Sequence, residues 1–331
     1  MYSKYRTLNQ TLSLVNTRID LPRDAVIDQL MLKFQITVSN TGSSSYSGTN
    51  EAVLRAIEEI RVVSDGSTVH YALSGADVAL LNAYNSQYGF AVPLGGTVGP
   101  IAQTSGTANL TYYLRLDEGD ILAVAKDSLE IKLVINPTIA TDVTITALTC
   151  EVTLVENVLS PEEFVASYGA NMEAAAEPKV YALSVPVVSS SELTNVLDLP
   201  TGSLIRAGVM EFIDQSTGLA SAAVNPSAIG LINTSPDRRE VLHVDWGTLQ
   251  KLNAADYPIG ATVLPGVAML NYAADVTNDG YGLRGWRFTK GDWQIAVKSS
   301  NAATLRYVCL EHVVNSAAFD ATERATLERT R

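Results

Sequence analysis

The chain has 331 residues, of which 47% are hydrophobic and 18% are charged, and its formal net charge is −12. This length is enough for two domains of ordinary size. Proteins that bind DNA or RNA need a basic surface to displace counterions from phosphates, so this acidic chain, without a block of Lys or Arg, is not expected to bind nucleic acid directly. The low share of charged residues suits a chain that covers much of its surface with copies of itself.

The N-terminal segment contains Tyr2, Lys4, Tyr5 and Arg6 but lacks the apolar run of a signal peptide. The sequence also contains no stretch near the roughly 20 apolar residues of a membrane span. We therefore expect the protein to be made and kept in a cytoplasm until assembly. The small aromatic and basic cluster predicts either a tail that packs on a neighbouring subunit or a segment that faces a membrane.

Strand patterns dominate both halves of the chain, because Val, Ile and Thr alternate with polar residues over short runs bounded by turn residues. The predicted strands of the first half are 11–20, 27–39, 57–63, 110–116, 129–135 and 143–155. Those of the second half are 179–188, 194–198, 204–213, 228–232, 239–244, 267–272, 293–299 and 304–314. About eight strands per half predict an all-β protein made of two tandem eight-stranded jelly-roll sandwiches with a few short helices.

The few helices have recognisable first residues. Ser74 is predicted to cap one helix, with Asp77 three residues later in an acidic variant of the capping box. Asp245 is predicted to cap a second helix at the corresponding place in the second half. Ser160, followed by Pro161 and Glu163, predicts a connecting helix between the halves. A last helix is predicted over residues 317–329.

The two halves repeat the same elements in the same order, which predicts a duplicated fold. The spacing between partners falls steadily along the chain, as expected if the first half carries the longer loops. The aligned pairs are Asp20 with Asp198, Pro22 with Pro200, Phe34 with Phe212, Leu81 with Leu252, Ile131 with Ile295, and Cys150 with Cys309.

This alignment predicts an N-terminal sandwich over 1–159, a helical connector over 160–178, a C-terminal sandwich over 179–314 and a helical tail over 315–331. Cys150 and Cys309 then lie in separate cores, where they are expected to be buried, unpaired thiols. Loops 40–50 and 89–106 are long, polar and rich in Gly. We expect them to be mobile in a single chain and to take part in contacts between subunits.

Two tandem sandwiches joined by a helical connector resemble the double jelly-roll major capsid proteins. This family includes the adenovirus hexon and the coat proteins of tailless icosahedral bacterial and archaeal viruses, many with an internal membrane. The resemblance covers about residues 7–314 and is architectural, since the family has no catalytic signature. It rests on the strand entries at Asp20 and Asp198, the capped helices at Ser74 and Asp245, and the final strands around Cys150 and Cys309.

The resemblance implies a structural protein that forms homotrimers with a pseudo-hexameric outline, which tile an icosahedral virion shell. It implies contacts with neighbouring trimers, with minor capsid or vertex proteins and, through the N-terminal segment, with an internal viral membrane. The location implied is the virion, with assembly in the host cytoplasm.

The sequence predicts no catalytic, cofactor-binding or metal-binding residue. His70, His243 and His312 are scattered and are interpreted as structural, and Asp275 and Asp279 fit a turn better than a calcium site. Two alternatives on the same architecture remain. A glycan-active amidase would use acidic residues such as Asp65 or Glu211, although no pair is indicated. A carbohydrate-binding module would need Tyr and Trp side chains that face solvent. Because one fold supports many functions, the fold by itself does not choose among these.

Overall fold

The computed structural model describes residues 2–85, 91–168, 176–234, 238–257, 266–272, 286–287 and 293–313. Most of these residues lie in strands, and the helices are few and short, which confirms the all-β prediction. The chain divides into two compact units. Unit 1 comprises Met1–Ser167 with Tyr257–Val263, and unit 2 comprises Tyr168–Asp256 with Leu264–Arg331.

Unit 1 is built from antiparallel strands and two short helices. Its helices are α1 (Asn50–Arg55) and α2 (Gly75–Tyr84). Its strands are β1 (Tyr2–Ser13), β2 (Arg18–Asp20), β3 (Val26–Asn40), β4 (Tyr46–Thr49), β5 (Ile57–Ser64), β6 (Thr68–Leu73), β7 (Thr97–Ile101), β8 (Gly106–Leu116), β9 (Leu129–Ile135), β10 (Thr138–Ala140) and β11 (Val143–Val158).

The main strands of unit 1 form two layers. One layer has the order β1-β11-β3-β8, and the other has the order β2-β9-β5-β6. Alternate residues of β3 are buried, because successive side chains of a strand point to opposite faces. These buried residues are Leu30, Leu32, Phe34, Ile36 and Val38.

Unit 2 repeats this construction. Its described helix is α4 (Trp246–Asp256), and the connecting helix α3 (Pro161–Tyr168) lies in the sequence where unit 1 ends and unit 2 begins. Its strands are β12 (Glu177–Val187), β13 (Ser190–Asp198), β14 (Leu204–Asp214), β15 (Leu219–Ala220), β16 (Ala228–Asn233), β17 (Arg239–Asp245), β18 (Val267–Asn271), β19 (Trp286–Arg287), β20 (Trp293–Ser299) and β21 (Ala303–Val313).

The layers of unit 2 have the orders β12-β21-β14-β18 and β13-β20-β16-β17. Without the short additions β4, β7, β10, β15 and β19, the described residues of each unit form eight strands. In both units one layer contains the first, last, third and sixth of these strands, and the other contains the second, seventh, fourth and fifth. This is the jelly-roll arrangement, and it confirms the predicted duplication of strand order. In the core of unit 2, Phe212 meets Trp246 edge to face, with ring centroids 5.0 Å apart.

The start of the chain differs from the prediction. The single predicted strand over 11–20 is wrong, because a turn at 14–17 separates β1 from β2. Ser13 closes that turn, since its hydroxyl accepts hydrogen bonds from the backbone N–H groups of Val15 and Asn16. The segment predicted to be a tail is the N-terminal part of β1, in which Tyr2 pairs with Val158. The physical reason is that an edge strand with one exposed face carries polar residues and resembles a tail in sequence.

The segments predicted to be long mobile loops contain regular structure. Strand β4 pairs with β7 in a two-stranded ribbon, and the hydroxyl of Thr49 caps α1 by accepting from the N–H of Ala52. The side-chain amide of Asn40 donates to the carbonyl oxygen of Ser44 at 2.8 Å and holds the connection between β3 and β4. Deletion of 41–49 would therefore remove a strand and a helix cap of unit 1. Residues 86–90 of the second predicted loop lie outside the described residues.

The predicted helix caps are confirmed. Ser74 and Asp77 form a reciprocal capping box at α2, and Asp245 accepts from the N–H of Thr248 at the start of α4. Ser160 and Glu163 also exchange backbone–side chain hydrogen bonds at α3. The predicted tail helix over 317–329 and the turn with Asp275 and Asp279 lie outside the described residues. Among the helices that the structure describes, none combines the length and the apolar character needed to cross a bilayer.

Candidate functional site

In unit 1, helix α2 is fastened to the adjacent strand β8 by one buried side chain. The amide of Asn82 donates to the carbonyl oxygen of Arg115 at 2.7 Å, and the N–H of Arg115 donates back to Oδ1 of Asn82 at 2.8 Å. These two bonds satisfy the backbone N–H and C=O groups of Arg115 in β8, which need hydrogen-bond partners because they are buried beneath α2. Asn82 thus sets the position of the helix along the sandwich.

Unit 2 contains an equivalent pair of hydrogen bonds between its helix and the adjacent strand. Asn253 in α4 donates to the carbonyl oxygen of Met269 at 3.0 Å, and the N–H of Met269 donates to Oδ1 of Asn253 at 2.6 Å. Asn82 and Asn253 are partners in the sequence alignment that pairs Leu81 with Leu252. The duplicated helices are therefore held to the sixth main strand of each unit by an identical pair of bonds.

A buried ion pair lies between the first and last strands of unit 1. The carboxylate of Glu156 is fully buried and lies 3.2 Å from Nζ of Lys4 and 3.1 Å from Nε of Arg6. Arg6 also reaches Asp24 at 2.6 Å. The hydrogen bond from Arg6 lowers the pKa of the Asp24 carboxyl. Because a buried carboxylate is costly without a cation, Glu156 ties β1 to β11.

Unit 2 has an equivalent ion pair between its first and last strands. Nζ of Lys179 lies 3.1 Å from the buried carboxylate of Glu311. The pairing registers align the two sites, because Lys4 is opposite Glu156 in β1–β11 and Lys179 is opposite Glu311 in β12–β21.

The sequence did not predict this pair, although the last strand of each half contains a related pattern. The two patterns are Val155-Glu156-Asn157-Val158 and Leu310-Glu311-His312-Val313.

The register corrects one predicted equivalence. Phe34 and Phe212 remain equivalent positions, because β8, which follows α2, pairs with β3 in the same register as β18, which follows α4, pairs with β14. Phe34 is opposite Cys150, but Phe212 is opposite Leu305, four residues before Cys309. The pairing of Cys150 with Cys309 is therefore displaced by four residues. Both cysteines are buried and unpaired, as predicted, and burial raises the pKa of the Cys309 thiol to about 12.

Comparisons with known proteins agree with this architecture. The chain is similar to a crystal structure of the STIV major capsid protein, with a TM-score of 0.80, 17% identity, and coverage of 96% of this chain and 98% of the other. A structure of Sulfolobus Turreted Icosahedral Virus matches with a TM-score of 0.79 and 18% identity, and the match covers 99% of this chain and 97% of the other. The major capsid protein P2 from Bacteriophage PM2 matches with a TM-score of 0.56 and 13% identity, and the match covers 95% of this chain and 98% of the other. The fold is a double jelly roll. No protein-family model and no curated protein matches the sequence.

The basic side chains at the N-terminus of this double jelly roll face carboxylates of their own unit. Lys4 and Arg6 surround Glu156 and Asp24, so their charges are largely compensated. Tyr5 on the opposite face of β1 is exposed. The cluster therefore holds β1 to its own unit. Its two cations, Lys4 and Arg6, already have carboxylate partners within the protein.

The residues considered for chemistry have structural partners. The carboxylate of Asp65 accepts from the backbone N–H groups of Asp127 and Ser128 and braces a turn. His70 contacts the hydroxyl of Ser64 at 2.9 Å, and His243 contacts Glu240 at 3.0 Å. Glu211 is buried in β14. Across the described ranges, no group of three or more His, Cys, Asp or Glu side chains has a geometry that could hold a metal ion.

Among the described residues of the double jelly roll, the large exposed aromatic side chains are Tyr2, Tyr5 and Tyr113. Trp246 is buried in the core of unit 2, and Trp293 is half-buried against the same core. Tyr113 in β8 has half of its surface exposed. The described residues therefore build two sandwiches whose helices and terminal strands are held by buried polar contacts.

Proposed function

We propose that this chain is a major capsid protein whose homotrimers, with a pseudo-hexameric outline, tile an icosahedral virion shell. The observation that carries the proposal is the likeness over 96% of the chain, at a TM-score of 0.80, to the STIV major capsid protein. That likeness extends through both sandwiches.

The duplicated construction supports the trimer. Two units with the same strand order and the same helix fastening, through Asn82 and Asn253, let three chains present six similar modules. Contacts between unlike surfaces of neighbouring copies close into a ring when the rotation matches the ring size. Such permanent interfaces bury on the order of 2,000–5,000 Å² and contain few charged residues. A chain with 18% charged residues suits this use.

The same proposal places the protein in the virion, after assembly in the host cytoplasm, with neighbouring trimers and minor capsid or vertex proteins as partners. Its role is structural and not enzymatic. Contact of the N-terminal segment with an internal viral membrane belongs to the same proposal. Because Lys4 and Arg6 are engaged by Glu156 and Asp24, this contact would use the exposed Tyr2.

Analytical ultracentrifugation of the purified full chain tests the proposal. We expect a species of about three times the 35.4 kDa chain mass that persists on dilution through the micromolar range. Negative-stain images of that species should show a pseudo-hexagonal outline. A monomer at every concentration in this range would refute the proposal.

A further inference from the structure

Equivalent surfaces of the two units differ in burial. We call the exposed residues Thr248, Lys251 and Leu252 of α4, together with the exposed Val241 of the preceding strand β17, the helix surface of unit 2. Leu252 is 51% exposed and Val241 is 46% exposed. At the equivalent positions of unit 1, Leu81 is 4% exposed and His70 is 1% exposed. The same element of the repeat is thus covered in unit 1 and open in unit 2.

Part of this difference arises inside unit 1. Helix α1 packs on the start of α2 so closely that a Cβ atom on Gly75 would lie 2.7 Å from the carbonyl oxygen of Leu54. At the corresponding place, between β14 and β16, the described residues of unit 2 form β15 and a 3-10 turn at Ala222–Val224. Among the described residues of unit 2, no helix therefore covers the outer side of α4 as α1 covers the start of α2 in unit 1.

A second surface shows the opposite asymmetry. The outer sheet face of unit 1 is the side of β1, β11 and β3 that points away from the core, and it is formed by Tyr5, Met31, Lys33, Glu151 and Thr153. Tyr5 is 76% exposed, whereas Val180, its register equivalent in unit 2, is fully buried. Val209 and Val308 are also fully buried where unit 1 has the partly exposed Met31 and Thr153.

We propose that the helix surface of unit 2 docks on the outer sheet face of unit 1 in a second copy of this chain. This inference rests on the proposed function, because it assigns the surfaces that close the trimer. Each chain offers one of these surfaces from each unit, so the contact is head-to-tail and leaves no open surface once the ring closes.

The composition of the two surfaces suits such a contact. Each has an apolar centre, the exposed Leu252 and Val241 on one and the exposed Tyr5 with the partly exposed Met31 on the other. Each also has charges at its rim, Lys251 on one and, on the other, Lys33 with the half-exposed carboxylate of Glu151, whose charged atoms lie 3.7 Å apart. Apolar centres surrounded by polar rims are typical of stable protein interfaces.

A charge placed at the centre of the helix surface tests this contact. Leu252→Asp should weaken the trimer about 100-fold in dissociation constant, because it buries an unpaired carboxylate in place of a leucine. The matched control is Val188→Asp, which changes an exposed valine of unit 2 in the turn after β12 and should leave the trimer unchanged. Both variants alter exposed side chains, so thermal unfolding should report folded protein in each case. A Leu252→Asp trimer as stable as the wild type overturns the inference.

Photo-crosslinking identifies the surface that faces Leu252. Benzoylphenylalanine at position 252, in trimers mixed from ¹⁵N-labelled and unlabelled chains, should form products that join this position to peptides of β1, β3 or β11 from another chain. Trimers whose products join other peptides, or only peptides of the same chain, overturn this inference and leave the proposed function standing. Wild-type protein that sediments as a monomer overturns the proposed function itself.

Discussion

Glu156 and Glu311 occupy the same position in the two units, each opposite a lysine of the first strand. The distances from Nζ to the carboxylate are 3.2 Å for Lys4 and 3.1 Å for Lys179. The two carboxylates are buried, while the lysine side chains remain partly exposed. This relationship shows that the duplication preserves ion pairs as well as strand order, and it places a cation at the same end of both sandwiches.

Removal of the lysine should therefore harm unit 2 more than unit 1. Lys179→Met should destabilise unit 2 by about 3 kcal/mol, because it leaves a buried carboxylate without its cation. Lys4→Met should cost less, since Arg6 remains 3.1 Å from Glu156. Urea unfolding followed by limited proteolysis measures the two effects separately. The double variant Lys179→Met/Glu311→Leu should regain most of the loss, and failure to do so would contradict this role for the pair.

Asn82 and Asn253 should each contribute to stability through two hydrogen bonds. Asn253→Ala should lower the free energy of unfolding by about 2–4 kcal/mol, because it leaves two buried backbone groups of Met269 unpaired. Hydrogen exchange at the Met269 amide should speed up while the Arg115 amide keeps its protection. Asn82→Ala should give the reverse pattern. Equal changes at both amides in either variant would argue against independent fastening of the two helices.

The two thiols should be inert in the folded protein. Burial raises the pKa of both Cys150 and Cys309, and the value for Cys309 is about 12, so little thiolate is present at neutral pH. An aromatic disulfide reagent should show no reaction with native protein and two reactive thiols per chain in guanidinium chloride. Fewer than two reactive thiols under denaturing, non-reducing conditions, and none if the two cysteines were bridged to each other, would contradict the unpaired state.

Two aspartates should influence stability with opposite signs as pH changes. Burial and the nearby carboxylates of Asp120 and Asp117 raise the pKa of Asp28, against a smaller effect of Arg115, so its contribution is lost as pH rises through the folded-state value. Asp28→Asn should thus raise the urea midpoint at pH 7 and leave it unchanged well below the unfolded value near 3.8.

Asp24 provides the matched comparison. Arg6 lowers its pKa, so its contribution is present above the unfolded value and is lost as pH falls through the folded one. Asp24→Asn should lower the urea midpoint at pH 7, with a difference that disappears in strong acid. Because Asp24 is mostly exposed, the effect should be small and should shrink further in 1 M salt. A change of the same sign in both variants would exclude this account.

The sequence by itself determined the features that depend on near neighbours. Alternation of apolar residues in β3 predicted a strand with one buried face, and the capping boxes at Ser74 and Ser160 were visible because their partners lie three residues away. The repeat was visible in the same way, since Asp20 and Asp198 are each followed by Leu and Pro. Together these signals were enough to predict two tandem jelly rolls.

Only the tertiary structure decided which distant residues meet. Lys4 and Glu156 lie near the beginning and the end of the sequence of unit 1, and no local pattern connects a lysine in the first strand to a glutamate in the last. The register of the last strands was also hidden, because bulges, such as the one between Val155 and Glu156, shift the count of residues along a pair of strands. Strands β4 and β7 were predicted as loops because they lie about 50 residues apart in the sequence. Their pairing depends on backbone hydrogen bonds, which produce no alternation of apolar and polar residues in either segment.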